Sequence, residues 1–144
     1  YGEKITRSKF PESYFFLLIN PNVRLSTRDV FKHYENSFNN EVYKNPLYFG
    51  NIKIHNSLLL SAISLAPSIS PILISLKKAQ NIVTYGMSGS GSTCFGIFEN
   101  LDDIVIFLKN FEQSSDQSYF TWYGQKRDYN LNRVTYSKML EKKY

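Results

Sequence analysis

The sequence predicts an α+β domain in which an antiparallel sheet is covered on one face by helices. Aromatic and aliphatic runs at 14–19, 82–85, 93–98 and 119–123 read as strands, and segments of helical spacing fall between the first and second and between the third and fourth. A glycine-rich loop joins the second and third runs directly, as antiparallel neighbours require. A chain of 144 residues with 42% hydrophobic and 16% aromatic content can bury one ordinary core, so one domain is expected.

Residues 1–12 are polar and read as a connecting strand or linker. The run at 14–19 stops at Asn20-Pro21-Asn22, the pattern of a buried strand ending in a turn. A punctuated helix start follows: Ser26 can cap, Asp29 stands at the third helical position, and Leu25 can pack on Val30. Val30, Phe31 and Tyr34 are expected to face the core. Residues 35–51 are Asn-rich, interrupted by Pro46 and Gly50, and read as a loop. Two helices are expected at 56–66, capped by Asn56, and at 68–79, with Pro71 tolerated in the first turn.

Beyond the glycine loop, Asn100 is expected to cap a helix with Asp102 and Asp103 in its first turn and Ile104, Leu108 and Phe111 on its apolar face. Adjacent residues on a helix point about 100° apart, so the two carboxylates are read as complementing the helix dipole and no metal site is assigned. The strand at 119–123 closes the domain at residue 126, and residues 127–144 form a basic, aromatic tail.

The formal charge of +5 and pI near 9.2 suit an anionic partner, but apart from Lys77-Lys78 and the tail the positive residues are scattered, which favours a solvated surface. No apolar run approaches the roughly 18 residues of a membrane span, and the expectation from residues 1–20 is that they do not serve as a signal peptide. Cys94 is the only cysteine, which excludes a disulfide framework and cysteine-based zinc sites and leaves a buried small hydrophobe. His33 is placed on the exposed side of its helix and His55 just before a cap, and neither can be given a nucleophile partner. A cytoplasmic protein is expected.

The chemistry concentrates at residues 85–98, Tyr-Gly-Met-Ser-Gly-Ser-Gly-Ser-Thr-Cys-Phe-Gly-Ile-Phe. Glycines among hydroxyl residues allow the backbone amides to form a nest for phosphate oxygens, and the hydroxyls add donors without charge. The candidate loop residues are Ser88, Gly89, Ser90, Gly91, Ser92 and Thr93. A P-loop would need a lysine and a following helix, whereas Thr93-Cys94-Phe95 is β-prone; a dinucleotide fingerprint would also need that helix. The bland alternative is a glycine-rich hairpin that binds nothing.

Met87-Ser88-Gly89-Ser90-Gly91-Ser92-Thr93-Cys94-Phe95-Gly96 resembles the third conserved motif of the GHMP small-molecule kinases. Residues 17–31, with Leu18-Ile19-Asn20-Pro21 and Val23-Arg24-Leu25-Ser26-Thr27-Arg28-Asp29-Val30-Phe31, and the spacing of Asn56, Leu58, Pro67 and Ile69, agree with the same group. The likeness covers residues 2–124, in an order that makes it specific. It implies a ferredoxin-like C-terminal domain, Thr27 as a substrate contact, and the loop at 88–93 as the phosphate end of the cleft. It further implies a bacterial enzyme of isoprenoid precursor synthesis that passes the γ-phosphate of ATP, with Mg2+, to the 2-hydroxyl of 4-diphosphocytidyl-2-C-methyl-D-erythritol. In that group the main ATP loop, the catalytic aspartate and its lysine belong to an N-terminal domain, so no catalytic residue is assigned here. The expectation is a piece of a longer enzyme, inactive alone and binding no cofactor alone, whose small-molecule partners meet it through that other domain. One departure is Ser57, where the group has aspartate after the asparagine.

A binding module of ferredoxin-like fold is the alternative from another class. Cys94-Phe95-Gly96-Ile97-Phe98 has a faint likeness to the aromatic strand of an RNA-recognition motif, without its basic residue or its aromatic spacing. Another GHMP kinase, acting on a different substrate, is the third possibility.

Overall fold

The computed structural model describes residues 13–36 and 47–125. The linker at 1–12, residues 37–46 of the segment read as a loop, and the basic tail lie outside the described residues. In chain order the elements are β1 (Phe15–Asn20), α1 (Thr27–Asn36), β2 (Leu47–Phe49), β3 (Ile52–Ile54), α2 (Leu59–Leu65), α3 (Ile69–Lys77), β4 (Ile82–Met87), β5 (Cys94–Phe98), α4 (Leu101–Gln113) and β6 (Phe120–Gln125).

The main sheet runs β4-β5-β1-β6 with every neighbour antiparallel. Strands β1 and β4 both oppose β5 and are therefore parallel to each other, and β5 and β6 are parallel across β1. Each parallel pair is joined through helices with a third strand between them, which is the split β-α-β pattern of a ferredoxin-like domain.

Directly opposed residues share a face. Leu17 stands opposite Gly96 and Tyr123, and Ile19 opposite Cys94. Leu17, Ile19, Cys94 and Phe98 are fully buried on this face, with Ile69, Ile72, Leu76 and Ile104 from the helices in the same cluster. In α4 the residues read as its apolar face are inside, and Phe111 stacks on Phe107 at 5.5 Å and meets Tyr119 at 4.8 Å.

The segment expected to be all loop up to residue 51 holds the first strand of a hairpin, β2 paired antiparallel with β3. It packs toward the sheet face opposite the helices. Phe49 is buried and meets Tyr14 edge-on at 5.1 Å, and a Cβ at Gly86 would lie 3.0 Å from the Phe95 ring and 3.8 Å from Ile54. Strands of three residues are too short to show a period. The usable signal was Gly50-Asn51 between two apolar runs, with Gly50 at φ 54°.

Helix punctuation is partly as expected. Asp29 N donates to Ser26 Oγ at 3.3 Å, Val30 is fully buried and Leu25 packs on the core. Phe31 does not face the core: it is 47% exposed, because Val30 takes the inward direction and the next residue is turned by about 100°. His33 is half-buried on the same helix. Asn56 does not cap the first of the two middle helices: that helix begins at Leu59 after Leu58, with no side-chain cap, and Asn56 Oδ1 instead accepts from Leu58 N at 3.0 Å in the turn before it. Asn100 does not cap α4 through its side chain. Its amide instead donates to Asp103 at 3.3 Å, and Asn81 donates to the same carboxylate at 3.0 Å, tying the start of α4 to the turn before β4.

Cys94 is the buried hydrophobe expected, and burial pushes its thiol up from 9.0 to about 12. Above pH about 9 the unfolded thiol ionises while the folded one keeps its proton, so this contribution to stability is lost as pH rises from 9 toward 12. Ellman's reagent at pH 8 should leave native Cys94 unlabelled and label it fully in denaturant; rapid native labelling would show the strand is not packed.

Candidate functional site

The glycine loop is a strand-to-strand connection. Met87 of β4 faces Cys94 of β5, and the turn between them is closed by Ser88 N donating to Thr93 O at 2.9 Å and Gly91 N donating to Ser88 O at 3.0 Å. Gly89 at φ 55° and Gly91 at φ 90° take the left-handed backbone that other residues resist. The two glycines nevertheless differ in surroundings. Among the described residues, a Cβ at Gly89 would meet nothing within 4 Å, whereas one at Gly91 would lie 2.9 Å from Met87 Sδ and 3.1 Å from Leu25 Cδ2. Gly89 therefore presents open backbone to solvent, and Gly91 lets the loop lie close to the core.

Four tethers hold the loop. Asn20, at the end of β1, donates to Thr93 Oγ1 at 2.9 Å while its own oxygen accepts from Asn22 N at 2.8 Å. Ser92 is buried and its hydroxyl donates to Val23 O at 2.8 Å. Thr27, the first residue of α1, shares a hydrogen bond of 2.9 Å with Ser90 across the sequence. Asn56 donates to Met87 O and Gly89 O, both at 2.8 Å, while its oxygen holds the approach to α2.

Thr27 and the residues at 88–93, predicted separately, thus stand together. Their hydroxyls have different occupations. Ser92 and Thr93 are engaged with the protein, Ser90 and Thr27 with each other, and Ser88 is exposed. Asn56 was legible only as a helix cap, a task it does not perform for α2, and its hold on the loop was not legible. The exposed Phe31 was also missed. It follows Thr27 by one turn of α1, on the same side of the helix.

A cleft of about 860 Å³ adjoins the loop at Ser88 and Gly89, between β3, α2, α3 and β4. Burial also raises the Tyr85 phenol above its usual range at the wall of this cleft. Among the described residues, no group of three or more His, Cys, Asp or Glu side chains could hold a metal ion, and no helix is long and apolar enough to cross a membrane.

Residues 49–114 match the family model for the C terminal of GHMP kinases. Among curated proteins, the chain is 32% identical over 126 residues to a 4-diphosphocytidyl-2-C-methyl-D-erythritol kinase of Prochlorococcus marinus (strain AS9601), a match covering 74% of the chain and 40% of the relative. It is 33% identical over 97 residues to the protein of the same name from Ehrlichia ruminantium (strain Gardel), covering 62% of the chain and 34% of the relative. The chain therefore spans about two fifths or less of the length of these relatives.

Proposed function

Since this chain carries the C-terminal domain of the GHMP kinases, we propose that it is the substrate-side part of an ATP-dependent kinase whose acceptor is the 2-hydroxyl of 4-diphosphocytidyl-2-C-methyl-D-erythritol. The observation that carries this reading is the contact between Thr27 and Ser90 at 2.9 Å, which joins the helix start expected to touch substrate to the loop expected to meet phosphate.

Phosphoryl transfer rests on positioning and on stabilising spread negative charge. ATP, with its Mg2+, supplies the phosphoryl group when bound, and the ligands of that metal are assigned outside the described residues. This chain's own part is a rigid rim. Gly89 leaves room for phosphate oxygens to approach the backbone, and Ser88 offers an exposed hydroxyl beside it. The Thr27 and Ser90 hydroxyls each accept and donate, so the pair can bind one oxygen of the acceptor and stay paired. Phe31, exposed one turn along α1, presents a flat apolar ring on which the cytosine of such an acceptor can stack. The substrate named in the relatives suits a site with an aromatic ring at one end and phosphate donors at the other.

The RNA-binding alternative loses its main feature. On β5, Phe98 is fully buried and Ile97 nearly so, while Phe95 packs beside Gly86 close to the hairpin, so these side chains are not offered to bases.

The test is acceptor dependence. The complete enzyme should release ADP only when the diphosphocytidyl acceptor is present, and the 144-residue chain alone should show neither turnover nor micromolar ATP affinity by calorimetry. Turnover with homoserine, mevalonate or galactose in place of that acceptor would reassign the substrate; tight ATP binding by the isolated chain would contradict the division of labour.

A further inference from the structure

Beyond Ser88 and Gly89, the cleft beside the glycine loop is lined by residues that the phosphoryl-transfer reading does not use. One stripe of α3 lines it, Ser70, Leu73, Ile74 and Lys77, at the spacing that puts four side chains on one side of a helix. Ile54 of β3 lines it with its neighbours Lys53 and His55, as do Tyr85 and Met87 on the helix face of β4 and Phe95 on the other face of the sheet. The described lining includes nine apolar side chains besides Tyr85, Met87 among them, two lysines and a histidine, and no aspartate or glutamate. The volume, about 860 Å³, lies within the usual range for small-molecule sites.

The exposed Leu101, Val105 and Ile106 on α4 have nothing opposite them that indicates a partner. The hydroxyl of buried Thr84, without a hydrogen-bond partner among the described residues, does not line the cleft. The smaller hollow at Arg24, Leu25, Ser26, Asp29 and Leu65 mixes both charges and leads to no ligand class.

We propose that the cleft between the β2-β3 hairpin and α3, which reaches the glycine loop at Ser88 and Gly89, is a binding site for a small anionic amphiphile, a molecule with an apolar body and one phosphate or carboxylate group. The apolar walls take the body, as burial of apolar area drives entry. Lys53 and Lys77 take the anion, a neutral head gains nothing from them, and the described lining has no acid to repel it. Exposed Ile74, 51% accessible, forms part of the mouth. The site shares one wall with the loop: Asn56 both lines the cleft and holds Met87 O and Gly89 O, so an occupant would be felt at the phosphate end. This proposal does not depend on which acceptor the kinase uses.

The probes are decyl phosphate, decanoate and decanol, each below its micelle concentration, titrated into the full chain and followed by amide chemical shifts and calorimetry. The two anions should bind about tenfold more tightly than decanol, with the largest shifts at Lys53, Ile74, Lys77 and Tyr85. Lys53→Gln and Lys77→Gln should each weaken the anions about threefold and leave decanol unchanged, while Ile74→Glu should weaken all three at an unchanged melting midpoint. A preference for one anion over the other distinguishes a phosphate ligand from a carboxylate. Equal binding of decanol and the anions, or shifts centred on α4, would overturn the proposal.

Discussion

Replacing Gly91 with valine should destabilise the domain by about 2 to 6 kcal/mol, the sum of a strained left-handed backbone and an overfilled contact. Gly91 sits at φ 90°, and its first added carbon would already lie 2.9 Å from Met87 Sδ and 3.1 Å from Leu25 Cδ2. Those atoms belong to the ends of side chains and can give a little, but valine adds two more carbons in the same space. A domain of this size has about 5–15 kcal/mol in total, so the loss takes a large part of that margin. Gly89→Ala is the informative contrast. Its backbone at φ 55° is also left-handed, at about 1 kcal/mol for a side chain, but no atom of the described residues lies within 4 Å of the added carbon. Denaturant melts of the two variants should therefore separate widely. In the complete enzyme, Gly89→Ala should lose activity out of proportion to its small loss of stability, because the carbon stands where phosphate is proposed to approach. Melting midpoints that coincide for the two variants would show that the loop does not pack as described.

Phe111→Ala should cost about 3 to 5 kcal/mol. Phe111 is 4% exposed and stands between Phe107 and Tyr119, so it joins α4 to the segment leading into β6. Deleting the ring leaves a cavity bordered by two aromatic rings that are themselves held by the helix and the strand entry, and such a site collapses poorly. A loss below about 1 kcal/mol in the same melts would mean that α4 does not present this face to the sheet.

The main sheet was legible because its strands are five or six residues long and its helices carry clear apolar stripes, as at Ile104, Leu108 and Phe111. The hairpin was not, since Leu47–Phe49 and Ile52–Ile54 give three residues each and no period. Phe31 was assigned inward because an aromatic residue beside a buried valine fits a core stripe; its exposure depends on how α1 is rotated, which packing decides. At the site, Thr27 and the loop residues were found by residue type and by resemblance. Their occupations were not legible: whether the hydroxyl of Ser92 faces Val23 or a ligand depends on contacts 69 positions apart in sequence. The same holds for Gly89 and Gly91, which read alike and stand in different surroundings.

The central claim is that Thr27 and Ser90 act together at the substrate end of a kinase cleft, and a double-mutant cycle on kcat/KM of the complete enzyme tests it most directly. Thr27→Val and Ser90→Ala each remove one hydroxyl of the pair bonded at 2.9 Å. Each single variant should lower kcat/KM with the diphosphocytidyl acceptor, and the double variant should cost less than the sum, leaving a coupling of about 1 kcal/mol or more. Effects that add within about 0.5 kcal/mol, or single variants as active as the parent enzyme, would contradict the account.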